Sequence, residues 1–167
     1  MAQTLRDKQQ PLKARYRAEP ASALLTLTAR GSQTGTPLSC SVDIGRALYE
    51  AQAHAMTGGE GTGPCSGDLL LGALAACAQT TTQMVAESMG IVTEKIAVTV
   101  AGDLDFKGTM GIDQTAPVGF TAIRASIEIV APTATQEQLA RLREKAEKYC
   151  VVLATLRTPP VITTTFL

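Results

Sequence analysis

At 167 residues the chain is long enough for one domain with a real core. Its 15 basic and 15 acidic residues balance, which excludes a strong polyanion-binding field. Aromatic residues make up only 4 % and tryptophan is absent, which argues against a base-stacking nucleic-acid surface.

Residues 1–23 read as a polar leader punctuated by Pro11 and Pro20, with a short helix expected near Leu12 to Arg17. No apolar segment of a secretory signal is visible, so a cytoplasmic location is expected. In that compartment four cysteines are free thiols or redox groups rather than a disulfide framework.

Leu24 to Arg30 alternates, with Leu25, Leu27 and Ala29 on one side, and predicts a half-buried strand. The Gly- and Pro-bearing segment 31–37 predicts a turn. A second alternating strand follows, with Cys40, Val42, Ile44, Arg46 and Leu48 on one side, so the pair reads as an antiparallel hairpin. Arg46 is the odd member. Either the strand ends near Gly45 and the guanidinium turns outward, or Arg46 is a cation held near the central helix. His54 is the only histidine; as a lone imidazole it reads more simply as a structural residue than as a ligand or base.

Gly58 to Asp68 is a glycine-rich entry to a long, nearly uncharged segment. The run carries neither the P-loop pattern nor GxGxxG. Ser66 is the expected N-cap and Asp68 falls in the first turn, where exposed N–H groups favour an anion. The helix then runs through Leu69–Met89 and stops at Gly90. Its first half is apolar or small on every side, so burial is expected. The polar run Gln79 to Gln83 interrupts it too early for a membrane span of ~20 apolar residues. Cys77 lies in the middle.

Ile96 to Ala101 alternates as a strand, residues 102–119 read as a long connection, and Ile123 to Ile129 is the cleanest strand, with one face wet. Thr135 and Gln138 form a capping box for a helix over Gln136 to Tyr149. Residues 150–156 continue as a second short helix or an extension, Pro159-Pro160 ends it, and the β-branched segment 161–167 predicts a final strand. The order gives an α+β domain over residues 24–167.

The cysteines bear on chemistry. Cys40, Cys65, Cys77, Cys150 and His54 include no CxxC or HxxxH pair, which leaves a metal site poorly supported. A hydrolase would have His54 as its sole imidazole, and GxSxG is absent. A thiol redox pair needs only two cysteines brought together and one made acidic. Buried Cys77 also reads as a plain core residue. On residue chemistry alone these readings stay open.

The segment Ser66-Gly67-Asp68-Leu69-Leu70-Leu71-Gly72-Ala73-Leu74-Ala75-Ala76-Cys77 resembles the helix opening of the osmotically inducible protein C / organic hydroperoxide resistance (OsmC/Ohr) family. Glu147-Lys148-Tyr149-Cys150-Val151-Val152 resembles the second cysteine motif of one branch. The resemblance covers roughly residues 24–167. It implies an OsmC-like fold, with antiparallel sheets wrapped around a long buried helix in an intertwined homodimer. It also implies a peroxidatic thiolate at Cys77, a resolving thiol at Cys150, and reduction of organic hydroperoxides. No bound cofactor is implied. Electrons would come from an external dithiol such as a lipoyl group or a small thiol, and neither a nucleic acid nor a membrane is an expected partner.

In the family an Arg, held by a Glu, activates the thiol. Here the Glu position falls on Gly67, beside Asp68, so Asp68 or Glu60 is expected to substitute. Arg46 is the expected cation on register grounds, with Arg30 next, and Val151 stands where the family has a Pro after the second cysteine. These departures leave a second expectation: a non-enzymatic thiol sensor or a binder of hydrophobic ligands.

Overall fold

A computed structural model of the chain describes residues 5–33, 40–43, 53–59, 61 and 63–166. Helix α1 (Leu5–Ala18) carries Pro11 inside it and leads through a 3-10 turn at Pro20–Ala23 into β1 (Leu24–Gln33). The segment read as a leader is docked rather than free. Tyr16 is fully buried beside Ala23 and Phe106, and its hydroxyl donates to the Met56 carbonyl at 2.6 Å.

β1 pairs antiparallel with β2 (Cys40–Asp43), as the alternation predicted. It is longer than expected and runs through part of the segment read as a turn; residues 34–39 and 44–52 lie outside the described residues. The helix α2 (Ser66–Ser88) follows, then β3 (Lys95–Asp105), the single turn α3 (Phe106–Thr109) and β4 (Phe120–Val130). The sheet is antiparallel in the order β2-β1-β3-β4. Helices α4 (Gln136–Tyr149) and α5 (Val151–Arg157) close the domain.

β3 extends four residues into what the sequence presented as connection. Gly102, Asp103 and Asp105 disguise it, because each is a poor strand former in isolation. The sheet supplies the missing reason. Arg124, diagonally across on β4, bonds both Asp103 oxygens, and Thr26, opposite on β1, donates to one of them at 2.6 Å. Those hydrogen bonds, from Arg124 first, hold the Asp103 carboxyl far below the usual carboxylate range. Gly102 is required by close approach. A Cβ there would come within 2.5 Å of the Phe120 ring and 3.1 Å of Leu71.

Helix α2 is the hub. Leu71, Leu74, Ala75 and Ala78 bury against Val98 and Val100 of β3, and Val85 and Ala86 join Ile96 and Leu142 in a second cluster. The polar run is part of this core and not a break in it. Gln79, Thr82 and Gln83 are buried. The Gln79 amide donates to Gln83 at 2.6 Å and to the Ile96 carbonyl at 2.8 Å, and Thr82 donates to the Ala78 carbonyl at 2.7 Å. Buried polar groups hold such places when hydrogen-bonded. By composition the helix is apolar enough to cross a membrane, with a mean hydropathy of 1.3 over its best window. Its contacts with β1, β3 and α4 account for that apolarity as core packing.

Within the single chain the helix has an uncovered face: Leu70 is 39 % and Met84 50 % exposed, with Ala73 exposed between them. One expectation fails. The final strand is absent, since residues 158–166 make no ladder, and Val161 and Phe166 are 96 % and 92 % exposed. β-Branched residues favour a strand only where a partner edge completes it, and no described strand of this chain pairs with them.

Candidate functional site

Cys77 and Cys150 come together where α2 passes the corner between α4 and α5. α4 begins at the capping box read from sequence, Thr135 with Gln138, whose two hydrogen bonds measure 2.8 and 3.2 Å. It ends at Cys150, which also stands immediately before α5. That corner sets the first turn of α5 beside α2 and Cys77. Burial alone would raise the Cys77 thiol. The polar groups gathered around its sulfur, the N–H of Val152 first, then the Cys150 thiol, the Thr81 hydroxyl and the N–H of Val151, favour the thiolate and bring its pKa below the ordinary thiol value. Thr81 lies one turn along the same helix face, 3.9 Å from the sulfur.

Cys150 moves the other way. Burial, reinforced by the neighbouring Cys77 sulfur and its charge, pushes it up to about 11. The pair therefore consists of a half-buried thiol made more acidic and a buried one held protonated. This is the division of labour of an attacking and a resolving sulfur.

The acidifying groups are a difference from the sequence reading, which expected a cation. Among the described residues the groups that lower Cys77 are hydrogen-bond donors. Arg30 is exposed on β1 and does not figure among them. Arg46 and Glu60 lie outside the described residues. Asp68 caps its own helix: Cys65, not Ser66, is the N-cap, and its N–H donates to Asp68 Oδ2 at 2.8 Å. Sequence reasoning missed Thr81, Val151 and Val152. Thr81 was recoverable from its i+4 spacing to Cys77. The N–H groups were not, because nothing local says that residue 150 turns the chain back onto residue 77.

The other candidates stand apart. Cys65 is twelve residues from Cys77 along one helix, about 18 Å. Burial raises its thiol. His54 caps a 3-10 turn, its Nδ1 accepting from the Met56 N–H at 3.0 Å, and stacks on Phe106 at 5.4 Å. The Cys40 side chain is outside the described residues. Among the described residues no group of three or more His, Cys, Asp or Glu side chains could hold a metal.

A cavity of about 590 Å³ opens between α2, β4 and the α4–α5 corner, with Cys150 in its wall. Its lining is mainly aliphatic, including Leu70, Leu74, Ile123, Leu153 and Leu156. A second cavity of about 570 Å³ lies beside His54, Cys65 and Phe106.

Replacing Thr81 with Val should raise the Cys77 pKa, since it removes a hydroxyl that favours the thiolate. The check is the midpoint of Cys77 alkylation against pH; an unmoved midpoint would show that Thr81 does not bond the sulfur.

No curated protein matches the sequence significantly. The crystal structure of an OsmC-like hydroperoxide resistance protein from Jannaschia sp. CCS1 shares the fold: it is 18 % identical, the match covers 84 % of this chain and 91 % of that one, and the TM-score is 0.59. The family model for OsmC-like proteins matches residues 59–165, a span that holds α2, the capped α4 and both cysteines of the pair. With motif, fold and family model in agreement over most of its length, this chain belongs to the OsmC-like protein family.

Proposed function

We propose that the protein is a thiol peroxidase that reduces organic hydroperoxides through Cys77 and Cys150. The observation that carries this reading is the placement of Cys77 and Cys150 in one buried cluster, with their acidities displaced in opposite directions. The Cys77 thiolate attacks the distal peroxide oxygen. The O–O bond breaks, the alkoxide leaves and takes a proton as the alcohol, and Cys77 becomes a sulfenic acid. The Cys150 sulfur then attacks the sulfenic sulfur. Hydroxide leaves as water with the Cys150 proton, and a disulfide remains. An external dithiol, such as a lipoyl group or a small thiol, restores the pair without a bound cofactor. The hydroperoxide resistance protein from Jannaschia supports the choice of substrate class by its name. Arg46, with Asp68 or Glu60, remains the proposed cation and its holder, adding to the N–H groups of α5; a cytoplasmic setting is proposed with them.

One equivalent of cumene hydroperoxide should yield a Cys77–Cys150 disulfide, read by peptide mass mapping without reduction. Turnover should follow with dihydrolipoamide or dithiothreitol. A disulfide that uses Cys40 or Cys65 would sink the mechanism. Oxidation without turnover would favour a sensor. The large aliphatic cavity supports the second reading, a binder of hydrophobic ligands, which unreactive thiols would favour.

We also propose a homodimer. The uncovered α2 stripe of Leu70, Ala73 and Met84 and the unpaired β-branched tail are apolar surfaces that a second copy would bury. Light scattering should give twice the chain mass at micromolar concentration, and a stable monomer would reject the proposal.

A further inference from the structure

The chain's scarce rings converge on a place that the thiol pair does not use. The sequence holds a single histidine and three phenylalanines. His54, Phe106 and Phe120 all line the cavity of about 570 Å³ at the start of α2, together with Leu70, Leu104 and Val118. Neither Cys77 nor Cys150 is in that wall. The volume falls in the range of small-molecule sites, about 300–1,000 Å³. Walls of ring faces favour a planar aromatic guest, which stacks on them offset or edge to face.

Most polar groups around the cavity are already spent. The Thr57 hydroxyl donates to the His54 carbonyl at 2.8 Å, and the Thr109 hydroxyl donates to the Val118 carbonyl at 3.0 Å. His54 still has a donor to offer. Its Nδ1 accepts from the Met56 N–H at 3.0 Å, so the proton of the neutral ring sits on Nε2. The same bond turns Nε2 away from the 3-10 turn, and the stack on Phe106, 5.4 Å between centroids, holds the ring plane. No described residue accepts from that N–H.

The head of such a guest is an acceptor and not an anion. No Lys or Arg is among the described residues of the wall, so a carboxylate would enter without a counter-charge. The start of α2 does not supply one either, because Asp68 already takes the Cys65 N–H at 2.8 Å and sets a carboxylate in the first turn.

We infer that this cavity binds an uncharged aromatic carbonyl compound, its ring against Phe106 and Phe120 and its oxygen accepting from His54 Nε2. This is a binding function separate from the thiol chemistry and independent of it.

The probe is 6-propionyl-2-(dimethylamino)naphthalene, a neutral aromatic ketone whose emission shifts to the blue when it leaves water. Titration into the reduced wild-type protein should show saturable binding of a single probe per chain. The imidazole proton signals of His54, unambiguous in a chain with a single histidine, should move along the same isotherm. The 6-propyl analogue lacks the carbonyl, and in competition it should bind about fivefold more weakly although it is the more apolar molecule. The 6-carboxylate should bind more weakly still. A Cβ at Gly119, in the cavity wall, meets no heavy atom within 4 Å, so the side chain of Gly119→Leu starts in open space. That variant should weaken the ketone about tenfold. Ala125→Trp, in the wall of the separate 590 Å³ cavity, should leave its binding unchanged. Unmoved His54 signals, a propyl analogue or carboxylate that competes as well as the ketone, or binding lost in Ala125→Trp and kept in Gly119→Leu would each overturn the inference and leave the peroxidase reading standing.

Discussion

Cys77→Ser is expected to abolish consumption of organic hydroperoxide, whereas Cys150→Ser should still react once and stop. A hydroxyl in place of the thiol has no anion at neutral pH, and no donor set of this kind can supply one. With Cys77 intact and Cys150 absent, the sulfenic acid has no thiol partner within reach among the described residues, because Cys65 lies about three turns away along α2. Dimedone labelling and peptide mapping should therefore find the adduct on Cys77 in Cys150→Ser. In the wild type the rate should rise with pH through a midpoint below the ordinary thiol value and then level off. That sign follows from the direction of the shift: deprotonation creates the nucleophile, and the donors around Cys77 bring it to lower pH. Full peroxide consumption by Cys77→Ser would refute the assignment.

Leu71→Ala should cost roughly 2–5 kcal/mol and lower the melting temperature by roughly 5–15 °C. Leu71 is fully buried on the sheet-facing side of α2, in the cluster with Val98 and Val100 and against the strand at Gly102. Truncation there leaves a void between the central helix and the central strands, where backbone relaxation is most constrained. Met84→Ala, on the uncovered face, should cost less than about 0.5 kcal/mol in a lone chain. Thermal unfolding at several protein concentrations compares the two. A loss at Met84 as large as that at Leu71, and dependent on concentration, would show that a second copy covers that face.

The parts of the fold that could be read from sequence are those where local pattern and tertiary environment agree. The alternation of Leu24 to Arg30 and of Ile123 to Ile129, the capping box at Thr135 and the uncharged run before Cys77 each point to the element observed. The misreadings arise where a distant partner overrides the local signal. Asp103 belongs in a strand because Arg124 and Thr26 flank it across the sheet. Gln79 belongs in the core because the Ile96 carbonyl awaits its amide. Val161 to Phe166 has the composition of a strand and no edge to join among the described residues. The site follows the same rule. Motif resemblance picks out Cys77 and Cys150, but the N–H groups of Val151 and Val152 become visible only when the chain folds residue 150 against residue 77.

That corner at Cys150 has a thermal consequence. A bond from it to Cys77 ties α2 to the junction of two helices and closes a loop of about 73 residues. In the chain-entropy account a closure of that length removes enough freedom from the unfolded ensemble to add about 4 kcal/mol to stability. Peroxide exposure would then leave a record in the protein's heat resistance. Freshly oxidised molecules would outlast reduced ones at elevated temperature, and the stock of thiol reductant would set how quickly that tolerance fades.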